Sequence, residues 1–203
     1  MDRLMGQLTT GCSGRRYAPP LNRNVSHTVA RKTLMIEIRE EKPRDKESVR
    51  RVNLAAFRDV SEAAVVEKLR AACDDYLAFV AVEDEKVVGH ILFTPATFDG
   101  HGVIGMGLAP MAVLPTHQRT GIGSRLVRHG LEHVRQSGCP FVIVLGHPEY
   151  YPRFGFERAS NYRLRSQWEG VPDEAFMVAV LDAAALPEGG GVARYRDEFN
   201  QAM

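Results

Sequence analysis

The chain has 203 residues, of which 44% are apolar, 25% charged and 8% aromatic, values that fit one globular domain and leave no room for wholesale disorder. Lys and Arg total 26 against 25 Asp and Glu, a net charge of +1, so the basic excess of a nucleic-acid binder is absent. The apolar run Ala175–Leu181 falls far short of the roughly 20 residues a membrane helix needs. Three scattered cysteines, Cys12, Cys73 and Cys139, form neither a disulfide framework nor a zinc pattern. These features exclude a secreted mini-protein, a membrane protein and a zinc ribbon, and point to a cytoplasmic domain.

Charge is unevenly distributed. Residues 1–32 hold five Arg and one Lys against one Asp, a local +5, which leaves 1 − 5 = −4 for the remainder. This stretch has no sustained hydrophobic period, so 1–34 reads as a disordered basic N-terminal extension and 35–203 as the domain. The extension fits a leader without function, an organelle transit peptide or an arm that touches phosphate.

From Met35 the chain alternates elements. Met35–Arg39 alternates apolar with charged and predicts a strand. Asp45 is placed to cap a helix reaching Phe57, with Val52, Ala55 and Ala56 on its buried face. Ala63, Val66, Leu69 and Cys73 give a second helix over Glu62–Cys73. Leu77–Val82 and Val87–Thr94 flank the acidic turn Glu83-Asp84-Glu85-Lys86, a hairpin with a slightly long loop. Ile104–Val113 is another strand, in which Pro110 calls for a bulge or an unpaired edge.

After a glycine-containing loop, Ile122, Leu126, Val127, Leu131 and Val134 line a helix that runs to Gln136 and stops at Gly138-Cys139-Pro140. Phe141–Leu145 is apolar and β-branched, as a central strand buried on both faces should be. Phe176–Leu181 is a last strand. The order β-α-α-β-β-β-α-β-(α)-β-β predicts an α/β fold with a mixed sheet flanked by helices.

The segment Val113–Ser124 leaves a strand and opens a helix. Glycines there let the backbone approach a ligand closely, and the orphan N–H groups and positive dipole end of a helix attract phosphate. It is neither a Walker loop nor a complete dinucleotide fingerprint. Taken alone, Gly121 and Gly123 equally serve to shape the loop.

Gln118-Arg119-Thr120-Gly121-Ile122-Gly123 resembles the Q/R-x-x-G-x-G/A signature of the GNAT superfamily of acyl-CoA-dependent N-acetyltransferases, preceded as in that family by a strand ending Met111-Ala112-Val113 and by Pro115. Tyr150-Tyr151-Pro152-Arg153-Phe154-Gly155-Phe156 resembles its F-Y-x-x-x-G-F segment, with Tyr150 in the Phe place. The fold-level likeness covers about Met35 to Ala159. The tail, Phe176-Met177-Val178 with Gly191-Val192 and Tyr195, is similar to the YhbS-like branch of bacterial members.

The resemblance implies a sheet with a splayed pair of strands, acetyl-CoA as cosubstrate and no metal. The backbone of Met111, Ala112 and Val113 would pair with pantetheine and polarise the thioester. Gln118, Arg119, Thr120, Gly121, Ile122, Gly123 and Ser124 would hold the pyrophosphate. Tyr151 would be the acid that protonates the departing thiolate, and a small-molecule or peptide amine would be the acceptor. The resemblance implies neither a nucleic acid nor a membrane as partner, and a homodimer is compatible with it.

The chain also departs from the pattern. Pro152 shortens any helix after Tyr151. Gly146-His147-Pro148-Glu149 replaces the Asn that often follows the fifth strand, and Ile104–Val113 contains no Glu to act as base, leaving His147 and Glu149 as substitutes by position. Arg125, Arg128, His129 and His133 read as surface residues, Cys139 as a small buried side chain, and Trp168 as partly buried or capping the acceptor pocket. An acyl-CoA sensor without turnover, or a regulator binding another phosphate ligand, are the competing readings.

Overall fold

The computed structural model describes residues 35–57, 60–186 and 188–201; the expectation about 1–34 lies outside them. Among the described residues nine strands, β1 (Glu37–Glu40), β2 (Leu77–Glu83), β3 (Lys86–Phe98), β4 (His101–Val113), β5 (Phe141–Leu145), β6 (Glu157–Arg158), β7 (Leu164–Ser166), β8 (Phe176–Val180) and β9 (Gly191–Arg194), form one sheet in the order β1-β2-β3-β4-β5-β8-β6, with β9 joining β3 to β7. Of the pairings among them, β4–β5 and β7–β9 are parallel and the rest antiparallel.

Strand β1 is Glu37–Glu40, two residues later than Met35 suggested; Met35 itself is 80% exposed. A 3-10 turn, Pro43–Asp45, precedes helix α1, Lys46–Phe57. Asp45 is therefore not the cap residue. Pro43, pre-set for a first helical position, starts the turn earlier. The Asp45 carboxylate reaches back to the Lys42 N–H at 2.8 Å and to Arg39 at 2.6 Å. The buried face of α1 is Val49, Val52 and Asn53, whereas Ala55 is exposed and Ala56 half-buried. A buried Asn is stable here because its amide group donates to Val49 O at 2.9 Å and meets His90 Nδ1 at 3.2 Å. Helix α2, Val60–Ala72, buries Val65, Val66 and Leu69, with Cys73 buried just beyond its end.

Strands β2, Leu77–Glu83, and β3, Lys86–Phe98, form the expected hairpin with a tighter turn. Asp84 and Glu85, at φ +44° and +65°, make a two-residue connection whose twist matches the right-handed twist of the paired strands. Strand β4 is His101–Val113. Ile91 pairs with Met111 and Phe93 with Leu108, so Ala109 and Pro110 together face Leu92: the bulge that Pro110 calls for.

Helix α3, Ile122–Gln136, packs the predicted apolar side chains on the sheet face that also carries Phe79, Ile91, Phe93 and Val144. The other face, with Leu92, Phe98 and Ile143, receives α2 and the C-terminal residues Tyr195 and Phe199. Strand β5, Phe141–Leu145, is buried on both faces, between β4 and β8, Phe176–Val180. The optional helix after β5 is only a 3-10 turn, Tyr151–Phe154, closed by Gly155 at φ +88°. The short strands β6 (Glu157–Arg158), β7 (Leu164–Ser166) and β9 (Gly191–Arg194) were not legible as periods. Among the described residues, no helix is long and apolar enough to cross a membrane.

Candidate active site

Strands β4 and β5 pair only from Met106↔Val142 to Leu108↔Val144. Beyond the bulge β4 continues to Val113 against β3 alone, while β5 ends at Leu145. A cavity of about 980 Å³ opens where the two part, lined by Met111, Ala112 and Val113 on one side and by Leu145 and Gly146 on the other.

A side chain holds this fork. The Tyr195 ring lies against Gly107, where an added Cβ would come within 2.6 Å of it. The Tyr195 hydroxyl accepts the Leu145 N–H at 3.0 Å and donates to Ile143 C=O at 3.3 Å. The next N–H of the chain, that of Gly146, turns the other way to Ala175 O at 2.9 Å. Backbone polar groups alternate sides along a strand, so Ile143 and Leu145 present theirs to the side that β4 abandons. Tyr195 supplies the partners β4 no longer gives. The sequence offered Tyr195 only as part of a tail likeness; its partner Leu145 is 50 residues away, and no local period encodes that.

Tyr195→Phe keeps the ring but removes the partner of the part-buried Leu145 N–H and of the buried Ile143 C=O. A buried polar group left without its partner costs about 1–3 kcal/mol, so the melting temperature is expected to fall by roughly 2–12 °C. A melting temperature unchanged within about one degree, well below that range, would remove the hydroxyl from this role.

At the mouth of the fork, Val113 leads through the turn Pro115–His117 into α3. The loop is closed by its own side chains: Gln118 Nε2 donates to Val113 O at 3.1 Å and Thr120 Oγ1 to His117 O at 2.6 Å. Arg119 at φ +62° and Gly121 at φ +89° turn the backbone through the left-handed region. Gly121 sits at the cap position with no side-chain cap, so the first-turn N–H groups of Ile122, Gly123 and Ser124 have no helical acceptor.

Gln118, Arg119, Gly121, Gly123 and Ser124 line the cavity. Thr120 and Ile122 do not bring side chains to it, because the Thr120 hydroxyl is spent on the loop and Ile122 is buried in the core. A Cβ on Gly123 would sit 2.8 Å from the Tyr150 hydroxyl. Arg125, expected as a purely solvated residue, donates to Ile36 O at 2.6 Å and ties α3 to the start of β1. Arg128 lies 5.3 Å from the Phe154 ring centre and Arg153 lies 4.4 Å from that of Tyr150.

Tyr151 is 7% exposed and lines the cavity beside Gly146. Its ring is so close to Gly146 that a Cβ there would approach it to 2.3 Å. It meets Tyr150 edge-on at 5.1 Å and Phe156 at 5.5 Å. Its hydroxyl has no hydrogen-bond partner among the described residues, and burial pushes the phenol well above its ordinary value. At neutral pH the proton stays on. His147 is exposed on the cavity wall, while Glu149 is exposed and off it.

His129 and His133 are not plain surface residues: both rings pack on Phe79 with centroids at 4.9 Å. Among the described residues, no group of three His, Cys, Asp or Glu converges. Cys139 is half-buried and donates its S–H to Phe141 O at 3.2 Å; burial pushes its thiol up, which suits an inert side chain. Trp168 lines the cavity and stacks on Tyr195, ring centres 5.4 Å apart.

A parallel pair of strands thus forks over a cavity, beside a glycine turn and a helix N-terminus that has no side-chain cap. The chain matches the model of the acetyltransferase (GNAT) family over residues 46–156. It is 34% identical over 165 residues to the uncharacterized N-acetyltransferase YhbS of Escherichia coli K12, covering 81% of this chain and 98% of that protein. Similarity to the uncharacterized N-acetyltransferase YjhQ of the same strain is 45% over 134 residues, 64% of this chain and 74% of the relative.

Among solved structures, Escherichia coli YhbS in complex with CoA superposes with a TM-score of 0.76 at 35% identity, over 82% of this chain and 93% of that one. A GNAT family acetyltransferase from Brucella melitensis in complex with acetyl-CoA gives 0.69 at 34% identity, over 81% and 98% of the two chains. The chain belongs to the GNAT family of acetyltransferases.

Proposed function

We propose that the protein moves the acetyl group of acetyl-CoA to a primary amine by direct attack in a ternary complex. The observation that carries this reading is the forked β4–β5 ladder with bare N–H groups at its mouth. The fork fits an amide-bearing chain, and the turn fits a pyrophosphate: a Cβ at Gly123 would press on Tyr150, so glycine there leaves the backbone open to a ligand. The crystallised relatives with CoA and acetyl-CoA support the same cosubstrate.

In this reading the exposed edge of Met111–Val113 pairs with pantetheine, and an N–H of that stretch stabilises the oxyanion of the tetrahedral intermediate. The N–H groups of Gly121–Ser124, with Arg119, hold the pyrophosphate. The attacking amine, with a pKa near ~10, must lose a proton first, and the departing thiolate benefits from gaining one. Tyr151 supplies the second proton. Among the described residues no carboxylate lines the cavity, so His147, at its wall, or water receives the first. The free thiols of Cys73 and Cys139 suit a reducing compartment, consistent with the cytoplasm.

The test is a single turnover of acetyl-CoA against an amine library, with detection of free thiol and acetylated product. Stoichiometric CoA release with one or more amines is the expected result. Binding of acetyl-CoA with no amine acetylated would overturn the reading in favour of a sensor, which the relatives, named as acetyltransferases, do not support.

Residues 1–34 are assigned no part in this chemistry. A protein starting at Met35 is expected to melt within about 2 °C of the full chain, since the removed stretch has no sustained hydrophobic period with which to pack, and to bind acetyl-CoA with unchanged affinity by calorimetry. A weaker affinity would return the basic extension to the role of a phosphate-touching arm.

A further inference from the structure

The proposed acetyl transfer leaves the acceptor unspecified, and the cavity wall is chemically divided. Every polar or charged side chain on the α3 face belongs to the loop before α3, the first turn of α3 or the turn after β5. On the opposite face of the sheet the wall is Ala56, Phe57, Val65, Trp168, Tyr195 and Phe199. The two polar atoms of that second group are already engaged: Tyr195 Oη bridges Leu145 and Ile143, and Trp168 Nε1 donates to Asn200 Oδ1 at 2.9 Å. The aromatic rings pack into one surface, Trp168 stacked on Tyr195 and Phe199 edge-on to it at 5.2 Å.

We infer that the acceptor is a monoamine on an apolar, ring-bearing body. The inference rests on the acetyltransferase reading and adds the class of amine. With cosubstrate entering from the loop side, the acceptor approaches the thioester from the aromatic side. A polyamine or an aminosugar would bring further ammonium or hydroxyl groups out of water against a wall that, among the described residues, offers no carboxylate and no free polar atom. Unpaired desolvation of that kind is costly, whereas a phenyl or alkyl body gains by burial. The reacting ammonium loses one proton before it attacks the acetyl carbon; the C–N bond forms to give the tetrahedral intermediate, whose nitrogen loses a second proton as the C–S bond breaks, and the CoA thiolate leaves and is protonated.

The probes are 2-phenylethylamine, ethanolamine and spermidine, each with the full-length protein and saturating acetyl-CoA. 2-Phenylethylamine is expected to exceed both others in kcat/KM by about tenfold or more, the scale at which apolar pockets discriminate. Trp168→Ala should raise KM for 2-phenylethylamine severalfold and leave KM for acetyl-CoA unchanged. Should loss of its stacking on Tyr195 unfold the protein, Phe57→Glu, at the half-buried end of α1, gives the second reading: it should reverse the order of 2-phenylethylamine and spermidine.

A wild-type preference for spermidine or ethanolamine overturns the inference and leaves the acetyltransferase reading intact. So does a 2-phenylethylamine KM that neither variant moves. If no amine is acetylated, the acetyltransferase reading falls, and calorimetry of 2-phenylethylamine against the CoA complex decides the pocket: no binding overturns its assignment.

Discussion

Tyr151→Phe is expected to lower kcat by about 10²–10⁴-fold, the range over which a positioned general acid contributes, while the dissociation constant of acetyl-CoA hardly changes. The structure sharpens this expectation in two ways. The Tyr151 hydroxyl bonds to no described residue, so its removal breaks no protein contact, and the ring that packs on Tyr150, Phe156 and Gly146 is kept. A fall in turnover is then chemical rather than structural. Burial also pushes the phenol up, so the acid form persists past the ordinary phenol value of about 10. Any alkaline loss of kcat below that pH therefore belongs to another group, and the Phe variant should keep the same profile at a lower level.

The defect should shrink when the leaving thiol is more acidic, since a better leaving group needs less help. Tyr150→Phe is the control: its hydroxyl faces Gly123 at the loop, so it should alter affinity for acetyl-CoA before turnover. Loss of turnover in the Tyr150 variant alone would transfer the acid role to that residue. If neither variant moves, the proton comes from water or His147.

Gly123→Glu is expected to abolish the rise in melting temperature that acetyl-CoA confers. At a hundredfold excess over the dissociation constant that rise corresponds to about 2.7 kcal/mol, roughly 5–11 °C for a chain of this size. The new carboxylate would occupy the ground before the N–H groups of the first turn of α3, where the pyrophosphate is assigned. The same position makes the variant a fair test, because an acidic residue in the first turn of a helix is favoured by the dipole. The Cβ comes too close only to the end of the Tyr150 side chain, at 2.8 Å, which can swing aside, and touches Met111 Sδ at an ordinary 3.4 Å. The apo protein should therefore melt near wild type. A ligand-induced shift of wild-type size would refute the pyrophosphate assignment.

Much of the central architecture was legible from periodicity. The wholly apolar Phe141–Leu145 lies in the middle of the sheet, the stripe on Ile122–Gln136 faces the core, and Pro110 marks the bulge at which β4 turns away. The misreadings have physical causes. The buried face of α1 is Val49, Val52 and Asn53 and not Ala55 and Ala56, because a sequence cannot reveal the Val49 carbonyl and His90 imidazole that satisfy a buried Asn53. Strands β6, β7 and β9 have two to four residues each, too few to express an alternation. Within the site, the loop was readable because its chemistry is local: Gln118 and Thr120 close it through contacts five and three residues away. Tyr195 and Phe199, which line the cavity from the other face of the sheet, reach it only through tertiary packing.

Because Tyr195, and not β4, partners the Leu145 N–H and the Ile143 C=O, a cosubstrate placed in the fork as proposed would break no ladder hydrogen bond there. A strand pair that had to be prised open would give up ladder hydrogen bonds worth about 0.5–1.5 kcal/mol each, and their loss would be subtracted from the affinity. Here the Leu145 N–H and Ile143 C=O already have a phenol in place of a strand, and Met111, Ala112 and Val113 line the cavity across from them. On the proposed reading the molecule binds its cosubstrate without parting a strand pair. Its association kinetics should accordingly be those of a rigid receptor, limited by encounter at the loop rather than by a slow opening of the sheet.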